Sequence, residues 1–258
     1  MPSPLSYRER GYRRRSLAQG LTSFAVRVEE SDLYILTDAG TDDEARQCEN
    51  LARERLLFYR QQLERYIQRR PEFLTSLVPL EDDELAPAIV RAMLKAAILA
   101  EVGPMAAVAG AVAEYVGRDL LAAGSKEVVV ENGGDLFLAR SQETVVEIFA
   151  ADSPHSGRVG VKLAADAMPA GLCTSSATIG HSLSFGSADA ATVLADSATL
   201  ADAAASWLGN MIGPEYGRDC GIAEALPQIL AISGVRGVLA IRGKLLGAAG
   251  EIDLVSLP

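Results

Sequence analysis

Past an N-terminal hairpin, the hydrophobic period of this chain is mainly helical up to about residue 125 and mainly strand-like after it. Before that point apolar side chains recur every three or four residues. Ala45, Cys48, Ala52, Leu56, Tyr59, Leu63 and Tyr66 form one such stripe, and Val90, Met93, Leu94, Ala97 and Ile98 form another. Three- and four-residue spacing puts side chains on one face of a helix. After that point the apolar residues fall in short blocks or alternate, over 127–131, 136–139, 145–150 and 159–163, more weakly over 171–194, and again over 238–241 and 252–255. Spacing of two belongs to strands. Helices first and strands later predict an α+β architecture, with helices layered on an antiparallel sheet.

Local signals sharpen this reading. Phe24, Val26 and Val28 alternate, and Leu33 to Leu36 follow the turn-like Glu29-Glu30-Ser31-Asp32, which predicts a hairpin. Thr41 and Glu44 have the spacing of a capping box and predict the start of a long helix. Pro87 suits the first turn of a second helix, and Gly103-Pro104 separates it from a third. That third segment, from Met105, carries small residues nearly all round, so it belongs in the interior where backbones approach closely. Further helices are predicted over about 200–210 and 220–230. The 258 residues suit one large domain: an N-terminal arm (1–20), a helical layer (41–123) and a sheet-rich part (126–258).

The net charge of −10 argues against nucleic acid as a partner. Arg8, Arg10, Arg13, Arg14 and Arg15 cluster in the arm, either as a solvated tail or as an anion-binding flap. No apolar stretch follows these charges, so no secretory leader is expected. The apolar region from Ile89 to Val116 is broken by Arg91, Lys95, Glu101 and Gly103-Pro104, so no membrane span is expected there. Cys48, Cys173 and Cys220 are odd in number and form no CxxC, which points to free thiols in a cytoplasmic setting.

Four segments carry groups suited to chemistry. Asn132-Gly133-Gly134-Asp135 reads as a tight hairpin turn and also as a place where a ligand approaches the backbone. Thr174, Ser175 and Ser176 cluster hydroxyls in a run beginning at Gly171; they suit a phosphate or carbonyl oxygen, or a polar turn. His181 is one of only two histidines, the other being His155, so no multi-histidine zinc site can form. Asp202 and Ser206 are four apart and share a helix face, where two oxygens suit a hard cation such as Mg²⁺. Thr199 to Asp202 also reads as a capping box.

In this order the four segments resemble the ApbE family of flavin transferases. That family carries an N-x-G-G-D turn, an A-T-S-G loop, a histidine in an H-I-I-D-P-like segment and a T-V-x-A…A-D-A-L-A-T helix start. Here the turn is Glu131 to Leu136, the loop is Cys173 to Ser176, the histidine is His181, and the last motif spans Ala191 to Ser206. The resemblance implies an ApbE-like fold related to tunnelling folds, with FAD or FMN in a cleft between helices and sheet. It implies that Asn132, Gly133, Gly134, Asp135, Thr174, Ser175 and Ser176 line the flavin site, that His181 serves catalysis, and that Asp202 and Ser206 hold Mg²⁺. It also places Ala109 where the family has a lysine, and Ser184-Phe185 where an acidic D-P follows the histidine.

Three functions follow as expectations. The first is Mg²⁺-dependent phosphoryl or flavin transfer from a flavin nucleotide. The second is a non-catalytic flavin carrier or sensor, favoured by Ala109. The third is sulfur handling at Cys173, where backbone donors of the loop would stabilise a thiolate; its plainer counterpart is a Cys173 that only fills space.

Overall fold

The computed structural model describes residues 20–176, 186–213 and 221–258. His181, Cys220, Ser184-Phe185 and the arginine cluster of the arm lie outside the described residues. In chain order the elements are β1 (Thr22–Val28), β2 (Ser31–Thr37), α1 (Asp42–Arg69), α2 (Glu72–Thr75), α3 (Ala88–Leu99), α4 (Val108–Ala122), β3 (Val128–Asn132), β4 (Asp135–Ala139), β5 (Thr144–Glu147) and β6 (Val159–Leu163). They continue as β7 (Ala170–Ser175), β8 (Ala190–Ala195), α5 (Ala198–Met211), α6 (Ile222–Leu230), β9 (Val235–Arg242), β10 (Leu245–Gly250) and β11 (Asp253–Ser256).

Eight strands pair antiparallel in the order β1-β2-β3-β4-β7-β8-β9-β10, and β11-β6-β5 form a second, smaller sheet. The pleat sorts side chains onto two faces. Val128, Val130, Phe137, Cys173, Ala191 and Val193 pack with the helices. Val129, Leu136, Leu138, Leu172, Ala190 and Leu194 pack with Val146, Val161 and Leu163 of the small sheet. The result is three layers: helices, large sheet, small sheet.

The long helix forms as its cap predicts. Thr41 Oγ1 accepts from Glu44 N at 3.2 Å, and Glu44 Oε2 accepts from Thr41 N at 3.2 Å. Ala52, Leu56, Tyr59, Leu63 and Tyr66 of the expected stripe are buried on α1. After Gly103 the chain first makes a 3-10 turn, Pro104–Ala107, and only then the α-helix. The all-round small residues of α4 are buried as expected, including Gly110, Ala111, Ala113 and Gly117.

Helix α5 lies against β7, β8, α3 and α4. Its first residue, Ala198, is gripped between two glycines. A Cβ on Gly171 of β7 would stand 2.3 Å from Ala198 Cα, and one on Gly110 of α4 would stand 2.1 Å from Ala198 O. Neither glycine can take a side chain unless a backbone moves.

Strand β10 was not expected from the sequence. Leu245-Leu246-Gly247-Ala248-Ala249-Gly250 has no β-branched or aromatic residue, and its register comes from pairing with β9 across the Gly243-Lys244 turn. Among the described residues no single helix is long and apolar enough to cross a membrane; α3 and the segment Pro104–Ala122 pass that test only as a pair, bent by 108°.

Candidate functional site

The turn between β3 and β4 is the two-residue hairpin that Asn-Gly-Gly-Asp predicts. Asn132 pairs with Asp135, and Gly133 and Gly134 have φ of 75° and 118°. Positive φ at both central positions accounts for the two glycines by itself. The turn is tied to the helical layer where Asn132 Nδ2 donates to Ala109 O at 3.2 Å. Ala109 therefore stands next to this turn, in the first turn of α4.

Asp135 opens β4 with its side chain on the helical face, directly opposite Cys173 of β7. It is 8% exposed, and burial pushes its carboxyl well above the ordinary range. The charge of Asp202 pushes in the same direction, and that of Glu131 adds to it; hydrogen bonds from Cys173 and the Thr174 amide oppose.

Asp202 does not cap its own helix, contrary to the capping box expected at Thr199 to Asp202. The N-cap of α5 is Ser197, whose side chain accepts from Leu200 N at 3.1 Å. The third helical residue is then leucine, so no acid of α5 can complete a box. The carboxylate at this helix end is Glu114 of α4, which accepts from Thr199 N at 3.1 Å and Thr199 Oγ1 at 2.9 Å. Asp202 turns instead toward α4 and accepts from Gly110 N at 2.8 Å. Burial raises its carboxyl to about 7, although the Gly110 and Ala109 amides favour the charged form. Among the described residues, neither Asp135 nor Asp202 has an ion-pair partner.

Ser206 lies one turn along α5 from Asp202, and its Oγ is 3.5 Å from Ala106 O. A carboxylate, a hydroxyl and a backbone carbonyl are all hard oxygen donors, and their chemistry fits Mg²⁺ rather than a soft metal. Among the described residues no group of three or more His, Cys, Asp or Glu side chains could hold a metal ion. A cation here would draw on a hydroxyl, a carbonyl and oxygens of its ligand. The sequence reading missed Ala106, because a carbonyl leaves no mark in residue type.

The pleat divides the hydroxyl run. Cys173 faces the helices and Thr174 faces the small sheet, where its Oγ1 is 2.9 Å from Thr192 Oγ1. Ser175, paired with Ala191, returns to the helical face, and Ser176 follows the end of the strand. The structure therefore brings together Asn132, Asp135, Cys173, Asp202 and Ser206, and turns the Thr174 hydroxyl away from them. Cys173 is fully buried and donates to Ala198 O at 3.4 Å. Burial pushes its thiol well above the ordinary value, and the charges of Asp135 and Asp202 add to this. A carbonyl acceptor and two acids hold this sulfur as a neutral thiol. The Leu136 amide does favour a thiolate, as the sequence reading expects of a backbone donor, but burial and the two acids outweigh it.

Two open clefts lie elsewhere. One, of about 440 Å³, runs between the two sheets beside Lys162 and Arg236; the other, of about 580 Å³, lies between α6 and β10. Neither contains a site residue expected from the sequence.

The fold is that of the ApbE flavin transferases. The apo flavinyl transferase ApbE of Pseudomonas stutzeri superposes with a TM-score of 0.55 at 12% identity, covering 89% of this chain and 94% of that one. The ApbE protein of Thermotoga maritima gives 0.57 at 10% identity, covering 89% and 97%. The chain belongs to the family described as AbpE bacteria, whose profile matches residues 14–220. It is similar to the UPF0280 proteins of Methanococcus aeolicus (41% identical over 206 residues, 79% of this chain and 82% of that protein) and Methanocaldococcus jannaschii (42% over 205 residues, 78% and 82%).

Proposed function

We propose that this chain binds a flavin nucleotide, FAD or FMN, beside the Asn132–Asp135 turn, with a divalent cation, Mg²⁺, at Asp202 and Ser206. The carrying observation is the pair of desolvated carboxylates, Asp135 and Asp202, with no described ion-pair partner. Desolvated carboxylates are costly unless neutralised by protons or by a cation. A flavin nucleotide brings phosphates, and Mg²⁺ shared between phosphate and a carboxylate is a common arrangement for that ion. The ApbE fold and the order of the four sequence segments supply the flavin half of the proposal.

In this reading Asp202 and Ser206 hold the cation together with the Ala106 carbonyl. The cation, when bound, offsets phosphate charge and polarises a phosphoryl oxygen. Asn132 keeps the turn fixed against α4, and Asp135 sits across from Asp202 at the base of the site. His181 is the candidate proton-transfer group, and Ser175 and Ser176 are candidate phosphate or carbonyl contacts.

Ala109 favours a second reading, a flavin carrier or sensor that performs no covalent transfer. An alanine methyl in the first turn of α4 supplies no cation where the family places a lysine. Incubation with FAD and Mg²⁺, followed by assay for released AMP, separates the two: AMP supports transfer or hydrolysis, and intact bound FAD supports the carrier. A purified protein that binds neither FAD nor FMN would end both.

A further inference from the structure

Helices α4 and α5 exchange carboxylates at the point where their backbones touch. From α5, Asp202 accepts from Gly110 N in the first turn of α4. From α4, Glu114 accepts from Thr199 N and Thr199 Oγ1 in the first turn of α5. Gly110 and Glu114 are four apart on one helix, and Thr199 and Asp202 are three apart on the other, so each pair shares a face. The four residues close a ring: Glu114, Thr199, Asp202, Gly110 and back to Glu114.

The ring has little slack. Glu114 is 5% exposed, and its other oxygen is held by Arg118 at 2.9 Å through Nε and 2.8 Å through Nη2. The contact of Gly110 with Ala198 O leaves no room for the helices to slide. Helix first-turn amides carry partial positive charge, so each carboxylate meets the favourable end of the opposite helix.

We propose that Glu114 is a positioning residue for the Asp202 site: by fixing the start of α5 it fixes where the Asp202 carboxylate is presented. Its consequence for cation binding rests on the Mg²⁺ reading given above. Its structural half is independent of that reading. Asp202 Oδ2 is committed to Gly110 and the Ala109 amide also faces the carboxylate, so loss of the Glu114 tether releases the helix whose position sets this contact.

The test uses the full chain, with Glu114→Ala, Glu114→Gln and Asp202→Asn. Glutamine keeps an oxygen for Thr199, and alanine keeps none. In the metal-free protein, hydrogen exchange at the Gly110 amide should be faster by about tenfold in Glu114→Ala, the factor that one lost hydrogen bond carries. Exchange at Leu239 of β9 should be unchanged, and Glu114→Gln should resemble wild type. Gly110 exchange that changes no more than that of Leu239 overturns the positioning role. For the cation, Mn²⁺ is titrated by electron paramagnetic resonance. Glu114→Ala should weaken Mn²⁺ binding by about tenfold in the wild-type background and not at all beside Asp202→Asn. Equal weakening in both backgrounds overturns the coupling. A wild-type protein that binds no Mn²⁺ refutes the cation reading instead, and the amide-exchange result then decides the positioning role alone.

Discussion

Cys173 and Asp135 stand directly opposite one another on β7 and β4, with both side chains on the helical face of the large sheet. The Asp135 charge raises the cost of a thiolate at Cys173, while a hydrogen bond from Cys173 favours the Asp135 carboxylate. Cys173 is fully buried, and burial and the two nearby acids push its thiol toward the neutral form, so it should react slowly in the folded protein. In the native chain, timed alkylation with peptide mapping should label Cys173 more slowly than the half-buried Cys48, with no effect of added flavin. Rapid labelling of Cys173 that flavin suppresses would restore the sulfur reading.

Stability should depend on pH through Asp202. Its carboxyl titrates at about 7 in the folded chain, against roughly 3.9 in an unfolded one. Between those values the folded state holds a proton that the unfolded state has released. Stability therefore falls as pH rises from about 4 to about 7 and is level above that. Asp135, raised in the same direction, adds to the fall. Urea unfolding of metal-free protein should show that Asp202→Asn gains stability relative to wild type at pH 8 and little at pH 5. Added Mg²⁺ should stabilise wild type at pH 8 far more than at pH 5, because protons compete for the same oxygens. A stability difference between the two proteins that is the same at both pH values contradicts the assignment.

Gly110→Ala and Gly171→Ala should both be destabilising, by about 1–3 kcal/mol or more, because the new methyl meets backbone rather than a movable side chain. The would-be contacts are 2.1 Å to Ala198 O and 2.3 Å to Ala198 Cα. The urea midpoint of each variant checks this, and unchanged midpoints would show that α5 can shift without cost. Gly110→Ala should also weaken Mg²⁺ binding, since it displaces the Asp202 backbone contact.

Transfer of FMN to a target peptide of the family type should be absent or very slow. The resemblance to the ApbE motifs puts Ala109 at the family's lysine position and Ser184-Phe185 at that of the acidic pair after His181, and the proposed reading takes both as departures. Mass spectrometry of the peptide after incubation with FAD and Mg²⁺ gives the answer. Stoichiometric addition of FMN would mean that neither departure matters to the chemistry.

What the sequence disclosed was mostly local. The Thr41–Glu44 box, the Asn132–Asp135 turn and the stripe of α1 each depend on residues a few positions apart, and each formed as the spacing predicted. The cap of α5 was misread because its carboxylate arrives from Glu114, 85 positions away in sequence. Thr174 and Cys173 are neighbours in the chain, yet the pleat sends them to opposite faces, which a motif read as a loop cannot show. Strand β10 was missed because its small residues carry no strand preference; its partner β9 imposes the pairing. The Ala106 carbonyl beside Ser206 is visible only once the turn before α4 is folded.

The most direct test is calorimetric titration of FAD into wild type and Asp202→Asn, each with Mg²⁺ and with chelator. The half-buried Asp202 carboxylate, which accepts from Gly110 N at 2.8 Å, is the group on which the proposal turns. Wild type should bind FAD more tightly with Mg²⁺ than without. Asp202→Asn should lose about tenfold or more in affinity with Mg²⁺ present, since it removes the main charge from a hard-cation site. With chelator the two proteins should differ little. Equal FAD affinity for both proteins under both conditions would contradict the account at its centre.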